Sequence, residues 1–144
     1  QEINYEAQAA IELENLIDDD EPGAYPFDLV SDAAESLQID ASPVIQAVVA
    51  DVRAGVSAGN IAARFHRGLA LMIRDVCLQL REETDLNEVA LSGGVFQNRV
   101  LFRKTAGLLK GNGLEVLLHT QSPCNDGCIS LGQAAIAHYR LNAG

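Results

Sequence analysis

The chain has 144 residues, of which 48% are hydrophobic and 21% charged, and a formal net charge of −10. This length and composition predict one folded domain with a core, and they exclude a disordered chain or two ordinary domains. The charge predicts no nucleic-acid partner, because phosphate contacts need clustered Lys and Arg, although backbone N–H groups can still hold a nucleotide. No apolar run approaches the roughly 20 residues that cross a bilayer, so we expect no membrane partner.

The first residues and the cysteines indicate the setting of the chain. Residues 1–4 contain neither an initiator Met nor a signal-peptide pattern, so we expect an internal segment of a larger protein. Three cysteines without framework spacing favour a reducing, cytoplasmic location. Cys124 and Cys128 flank an Asn-Asp-Gly sequence, and a zinc site there is an alternative that two thiols alone support weakly.

The first forty residues predict a helix followed by a hairpin. An apolar stripe along residues 5–17 predicts the helix, and the acidic run at residues 18–21 ends it. That run is read as a solvated loop; a cation site is the alternative, although the alternating spacing of a calcium loop is missing. Residues 25–30 and 36–39 are β-like stretches, which predict a hairpin around residues 31–32.

A first long helix is predicted to begin at Ser42 and Pro43. Ser is a favoured capping residue, and Pro is favoured at the first helical position. Gly55 closes this helix, as glycine often does just past a helix end.

A second long helix is predicted to start near Ser57 or Asn60. Its apolar residues recur at steps of three and four, as on the buried face of a helix. They are Ile61, Phe65, Leu69, Met72, Ile73, Val76 and Leu80. His66 lies one position away from this stripe, so we interpret it as a surface or boundary residue and not as a ligand.

The last third of the chain alternates between strands and helices. Residues 88–91 and 114–118 predict short strands, and residues 98–110 and 128–141 predict helices. The sequence Gly-Asn-Gly at residues 111–113 closes the first of these helices. The alternation predicts parallel strands with right-handed crossovers, and hence an α/β fold with helices packed on a small, mostly parallel sheet.

Two adjacent glycines follow the first of these strands. Gly93 and Gly94 leave the backbone free to approach a ligand closely, and the start of the next helix offers unpaired N–H groups to an anion. A tight turn without a ligand is the alternative, since the sequence matches neither the dinucleotide fingerprint nor the P-loop. Gln97 and Asn98 favour a ligand, because their amides can contact a ribose or a base.

A second loop, Asn-Asp-Gly at residues 125–127, follows the second strand. An Asn or Asp in this place is typical of a helix cap. Both loops follow parallel strands, however, so we expect them at the same edge of the sheet, where α/β proteins bind ligands. A carboxylate that faces an anion site holds a metal ion or a ribose hydroxyl, which makes Asp126 a candidate functional residue.

These two loops carry a family resemblance. Residues 91–98 (Leu-Ser-Gly-Gly-Val-Phe-Gln-Asn) and 125–134 (Asn-Asp-Gly-Cys-Ile-Ser-Leu-Gly-Gln-Ala) resemble the C-terminal domain of the hydrogenase maturation carbamoyltransferases, the HypF family. Residues 5–14 and 61–66 are similar to the same family. The resemblance implies one lobe of an actin/Hsp70/sugar-kinase-like (ASKHA) fold, similar to the threonylcarbamoyl transferases of tRNA modification.

The resemblance also implies a reaction. The full enzyme uses carbamoyl phosphate and ATP to form a carbamoyl-adenylate, and then passes the carbamoyl group to the C-terminal cysteine of a partner protein, HypE. Residues 1–144 would then be a single C-terminal lobe of this carbamoyltransferase domain, a fragment of a larger multidomain protein. Its partners would include the N-terminal lobe and the preceding domains of the same protein, and we expect the chain alone to be inactive.

The resemblance further implies the site residues. In the related transferases the Asn that matches Asn98 contacts the nucleotide, and the Asp that matches Asp126 binds a divalent metal, iron or zinc, together with a His pair of the other lobe. The three histidines of this chain are not spaced as that pair. Ala7 is a departure, because the related transferases place a glycine there. The implied nucleotide-binding residues are Ser92, Gly93, Gly94, Gln97, Asn98 and Glu12.

A mechanism follows from these implied roles. The phosphate of the adenylate would lie over Gly93 and Gly94, and a metal on Asp126 would polarise the carbamoyl or phosphate oxygens. No catalytic nucleophile is predicted in the chain. Two alternatives remain open: a sugar- or acetate-kinase-type phosphotransferase lobe, and a non-enzymatic module that docks a partner through its acidic face.

Overall fold

The computed structural model describes residues 2–18, 20–31 and 37–142. This part of the chain contains five helices and four strands, and two short 3-10 turns precede the last two helices. The elements are α1 (Gln8–Asn15), β1 (Asp28–Ser31), β2 (Leu37–Asp40), α2 (Ser42–Arg53), α3 (Ala58–Thr84), β3 (Glu88–Leu91), the turn Gly94–Gln97, α4 (Arg99–Gly111), β4 (Glu115–Leu118), the turn Asp126–Cys128 and α5 (Ile129–Asn142). The predicted α/β class is confirmed.

Strands β1 and β2 form the predicted hairpin. They pair antiparallel, with Asp28 opposite Asp40 and Ser31 opposite Leu37. The predicted turn at residue 32 and the predicted strand start at residue 36 lie outside the described residues. The first strand begins later than residue 25, because Tyr25 is buried and its N–H donates to the carbonyl of Arg64 in α3.

The start of α2 differs from the prediction in its cap. Ser42 is the first helical residue, and both its N–H and its hydroxyl donate to Oδ1 of Asp40, at 2.8 and 2.6 Å. The carboxylate two residues earlier therefore accepts the hydrogen bonds, and the prediction of Ser42 as the cap is wrong. Pro43 does lie in the first turn, and Gly55 follows the helix end with a φ of 74°.

Helix α3 is the longest element and runs through the middle of the fold. Its predicted start near Ser57 or Asn60 is confirmed, and the Ser57 hydroxyl caps the helix by accepting the N–H of Asn60 at 3.2 Å. Small residues on one face let neighbouring backbone approach closely, and a Cβ added to Gly68 would lie 2.3 Å from the Tyr25 carbonyl oxygen. None of the helices in the described ranges is both long enough and apolar enough to cross a membrane.

The parallel pair β3 and β4 holds the two candidate loops. Glu88 pairs with Glu115 and Leu91 with Leu118, so both strands end at the same edge, as predicted. Helix α4 covers this pair and forms a core with it, which consists of Leu91, Ala106, Leu109 and Leu114. The two loops therefore extend from strands that are packed against α4, and this packing holds the loops side by side.

Helix α5 exposes its apolar side chains. No described residue of α5 is buried, and five large apolar side chains are 53–83% exposed. They are Ile129, Leu131, Ile136, Tyr139 and Leu141.

Candidate functional site

A cleft of about 700 Å³ lies between α1, α3 and the two loops. Its apolar lining includes Ile11 of α1 and Phe65 and Leu69 of α3. Its polar lining, the polar wall, includes Gln97, Asn98 and Asp126. An apolar cavity with a few convergent polar groups is typical of a small-molecule site.

The cleft gathers part of the predicted site. Gly94, Gln97, Asn98 and Asp126 line it, whereas Ser92, Gly93 and Glu12 do not. The Ser92 hydroxyl is hydrogen-bonded to Nε2 of His119 at 2.9 Å, and a Glu12 carboxylate oxygen accepts the side-chain N–H of Gln8 at 2.7 Å. The binding roles of all the predicted residues stay predictions.

Gly93 joins the two loops. Its N–H donates to the carbonyl of Cys124 at 2.7 Å, which ties the end of β3 to the segment after β4. Its φ of 102° is a conformation that side chains disfavour, so glycine is required here. A Cβ on Gly94 would meet nothing within 4 Å, so the backbone of this glycine faces open space at the cleft. The expectation that both loops lie at one edge is confirmed.

Asn98 connects the polar wall to the interior of the fold. It caps α4, since its Oδ1 accepts the N–H of Leu101 at 2.8 Å. Its amide nitrogen lies 2.8 Å from Nε2 of His66, and Nδ1 of His66 lies 2.8 Å from the carbonyl oxygen of Ala62. His66 is only 3% exposed, so its interpretation as a surface or boundary residue is wrong. Burial is tolerated because both ring nitrogens are hydrogen-bonded.

Glu14 occupies the start of α4. Its Oε1 accepts the backbone N–H groups of Arg99 at 2.7 Å and Val100 at 3.2 Å. The predicted unpaired N–H groups at this helix start are therefore already matched by a carboxylate of the chain itself. An anion in the cleft would meet the Gly94 turn and not the first N–H groups of α4. No local pattern in the sequence indicates this role of Glu14, because 85 residues separate it from Arg99.

Asp126 is exposed and does not act as the cap of its turn. Asn125 has that role, since its Oδ1 accepts the N–H of Gly127 at 3.1 Å. Within the described ranges no group donates a hydrogen bond to the Asp126 carboxylate, and no three His, Cys, Asp or Glu side chains cluster as a metal site. Asp126 therefore suits a metal ion only as one ligand of a site completed from elsewhere.

Ala7 has a strained backbone at the edge of the same cleft. Its φ of 62° and ψ of 10° are left-handed, a conformation that costs a non-glycine residue about 1–2 kcal/mol. The family resemblance implies a glycine at this position. The strain would give a physical reason for a glycine here, separate from any contact with a ligand.

Comparison with known proteins identifies the family. Residues 1–133 match the family described as the carbamoyltransferase Kae1-like domain, second subdomain. The chain belongs to the HypF carbamoyltransferase family. It is 34% identical to the carbamoyltransferase HypF of Synechocystis sp. over 137 residues and 33% identical to that of Rhodobacter capsulatus over 140. The sequence-based prediction of this family is confirmed.

Solved HypF structures share the fold. A full-length HypF crystallised in a phosphate- and nucleotide-bound form superposes with a TM-score of 0.89 at 38% identity over 98% of this chain. HypF of T. kodakarensis superposes with a TM-score of 0.73 at 24% identity over 96% of it, which shows the fold alone. The chain spans 16–17% of the two named HypF relatives and 18% of each of these structures.

Proposed function

We propose that this chain forms one wall of the nucleotide cleft of a HypF-type carbamoyltransferase. The observation that supports this most directly is the convergence of Gly94, Gln97, Asn98 and Asp126 on one cleft. A family relative with a TM-score of 0.89 is described as phosphate- and nucleotide-bound, which supports a nucleotide as the ligand class. The opposite wall would come from the N-terminal lobe of the same protein.

The apolar and polar residues that this chain contributes to the cleft suit different parts of a nucleotide. The apolar side chains of Ile11, Phe65 and Leu69 suit a base or the carbon face of a ribose. The Cβ-free backbone at Gly94 suits a phosphate that must approach closely. Gln97 and Asn98 supply neutral amides to the cleft, which can contact polar groups without adding charge to an acidic chain.

Asp126 would hold a divalent metal, iron or zinc, together with ligands of the other lobe. Its exposed carboxylate has no competing hydrogen bond in the described part of the chain, and a metal needs a ligand of this kind. When bound, such a metal polarises the carbamoyl or phosphate oxygens. The role of the chain is to place one carboxylate beside the polar wall of the cleft.

The whole enzyme would use carbamoyl phosphate, ATP and water to form carbamoyl-adenylate, with inorganic phosphate and pyrophosphate as the leaving groups. The thiolate of a C-terminal cysteine on a HypE-like acceptor protein would then attack the carbamoyl carbon. A C–S bond forms, the bond from that carbon to the phosphate oxygen breaks, and AMP leaves with the electron pair. This thiol chemistry suits a reducing, cytoplasmic setting.

The chain itself supplies no nucleophile to this reaction. All three cysteines are only partly exposed, and burial raises the pKa of the Cys77 thiol above its usual value. Thiols act as nucleophiles in their deprotonated form, so a raised pKa works against that role. We therefore expect the attacking group to come from the acceptor protein.

Calorimetric titration with ATP and with AMP tests the proposal. The protein titrated should contain this chain together with the N-terminal lobe. We expect Asn98→Ala to weaken binding about tenfold or more, as expected for a lost hydrogen bond at a ligand. Asn112→Ala is the matched control, because Asn112 has an equivalent helix-end role at the other end of α4. Absence of nucleotide binding by the wild-type protein would overturn the proposal.

A further inference from the structure

A line of four groups connects the cleft to the interior of α3. It runs from the carbonyl of Ala62 through the ring of His66 and the amide of Asn98 to the N–H of Leu101. Each of the three contacts is 2.8 Å long. His66 and Asn98 both line the cleft, although the imidazole is almost fully buried.

The two backbone ends fix the direction of every hydrogen bond in this line. A carbonyl oxygen can only accept, so Nδ1 of His66 carries a hydrogen and donates it to Ala62. The N–H of Leu101 can only donate, so the side-chain oxygen of Asn98 faces it and the amide nitrogen faces His66. The imidazole is therefore neutral, and its bare Nε2 accepts a hydrogen from Asn98.

The surroundings hold the imidazole in this place. The ring of Phe65 meets it edge-on, with centroids 5.9 Å apart and planes at 85°. Ala62 and Ala63 of α3 are buried as well, at 0% and 3% exposure. A side chain locked by packing on a helix is well suited to orient a second residue.

We propose that His66 is a positioning residue that turns the Asn98 amide so that its N–H, and not its carbonyl, faces the ligand. One amide hydrogen binds His66 and the oxygen binds Leu101, which leaves the second amide hydrogen for the cleft. The ligand atom at Asn98 is then a hydrogen-bond acceptor, such as a ribose, base or phosphate oxygen or nitrogen. This inference rests on the proposed nucleotide site.

The inference has a positioning half, in which His66 orients the Asn98 amide, and a ligand half, in which that amide donates to the ligand. Nitrogen NMR of the chain tests the positioning half without a ligand. The chain contains three histidines, so labelled imidazoles give three sets of signals, and His66→Gln identifies the set of residue 66. We expect that set to show a protonated Nδ1 and a bare Nε2 at neutral pH. The opposite tautomer, or a doubly protonated ring, would overturn the inference.

Nucleotide affinity tests the ligand half, with AMP as the probe and a protein that contains both lobes. We expect His66→Leu to weaken AMP binding about tenfold, whereas His66→Gln, which restores an acceptor, stays within about threefold of wild type. Equal affinities of the His66→Leu and wild-type proteins would count against a positioning role.

Asn98→Asp is the sharpest single variant. It keeps an oxygen for the Leu101 N–H but offers no hydrogen to the ligand, so we expect at least a tenfold loss of AMP affinity. Asn98→Ser, which also keeps a capping oxygen, shows how much of the loss comes from removing the amide. An Asn98→Asp protein with wild-type AMP affinity would refute the prediction that the ligand atom is a hydrogen-bond acceptor. If His66→Leu fails to fold, the Asn98→Asp comparison serves as the test in its place. If wild-type protein binds no AMP, the proposed function and the ligand half both fail, and the NMR result alone decides the positioning half.

Discussion

The carboxylate of Glu14 in α1 accepts a hydrogen bond from the backbone N–H of Arg99, at 2.7 Å and across 85 residues of sequence. A second bond from Val100 to the same oxygen makes Glu14 an anionic partner of the α4 N-terminus. A negative charge at this end of a helix is stabilised by the aligned peptide dipoles. The contact fastens α1 to α4 and so sets the distance between two sides of the cleft.

We predict that Glu14→Ala lowers the free energy of unfolding by about 1–2 kcal/mol, because two backbone donors lose a charged acceptor. Glu82→Ala is the control, since Glu82 is an exposed glutamate of α3. Urea denaturation of the three proteins measures the difference. A Glu14→Ala protein as stable as the control would show that the contact is not maintained in solution.

We predict that the same substitution, glycine to alanine, has opposite effects on stability in α3 and in α4. Gly68→Ala should destabilise the chain by about 1–3 kcal/mol, because the new Cβ would lie 2.3 Å from the Tyr25 carbonyl oxygen. Gly107→Ala should stabilise it by about 0.5–1 kcal/mol, because the position is helical and nothing lies within 4 Å. Thermal denaturation of both variants checks the pair, and a stabilised Gly68→Ala would contradict the packing of Tyr25 against α3.

The sequence predicted the features that depend on neighbouring residues. The start of α3 near Ser57, the Gly55 helix end and the parallel pairing of β3 with β4 follow from local pattern and short connections, and all three are present. The Ser42 cap was wrong for an equally local reason, because Asp40 is a stronger acceptor two residues away. The order of residues along the chain does not show which of two nearby polar residues, Asp40 or Ser42, accepts the hydrogen bonds at the helix start.

The parts of the site that were missed depend on contacts between distant segments. Glu14 meets Arg99 and His66 meets Asn98 only after the helices have packed. His66 was read as a boundary residue because it lies one step from the apolar stripe of α3. A polar residue at such a position can be buried when a carbonyl of its own helix and a distant amide satisfy it, and neither partner is visible in a pattern of apolar residues.

Acid stability should depend on Arg64. Its guanidinium binds the Glu21 and Asp51 carboxylates at 3.1 and 2.7 Å. The Arg64 hydrogen bond is the main cause that lowers the pKa of Glu21, and hydrogen bonds from Tyr25 and then Arg64 lower the pKa of Asp51. Groups with lowered pKa values stabilise the fold above their unfolded pKa values, and this contribution is lost as the pH falls through the folded values.

We therefore predict that Arg64→Met flattens the loss of stability below pH 4. Arg67→Met, at an exposed position three residues later, is the control and should keep the wild-type slope. Urea denaturation between pH 3 and pH 7 measures both profiles. Parallel profiles for the Arg64→Met and wild-type proteins would count against the paired carboxylates as the source of the acid sensitivity.

Alkaline stability should depend on Tyr25. Burial, followed by the hydrogen bond to Asp51 at 2.6 Å, raises the pKa of its hydroxyl from 10.0 to about 12. A raised pKa means that the protonated form stabilises the fold, fully below pH 10 and progressively less as the pH rises through about 12. Tyr25→Phe removes this titration, so its stability should fall less steeply between pH 10 and pH 12. Spectroscopic titration of the tyrosines gives an independent measurement, and a Tyr25 that ionises near pH 10 would contradict the prediction.

Asp126→Ala should separate function from folding. The side chain is exposed and Asn125 caps the turn, so we expect a change in the free energy of unfolding within about 0.5 kcal/mol. In a protein with both lobes, the same substitution should remove bound iron or zinc and reduce carbamoyl transfer by at least about 100-fold, since a lost metal ligand is not replaced by a methyl group.

Asp20→Ala is the matched control for this experiment. Asp20 is an exposed aspartate of the acidic run that is the alternative cation site of the chain. Elemental analysis and a transfer assay on both variants distinguish the two places. If only Asp126→Ala loses the metal, the metal ligand lies in the cleft. If only Asp20→Ala loses it, the metal ligand lies in the acidic run. Full transfer activity of Asp126→Ala would reject a metal-binding role for Asp126. Because neither carboxylate contributes to the core, a loss of metal or of activity in either variant reflects an altered metal site and not a damaged fold.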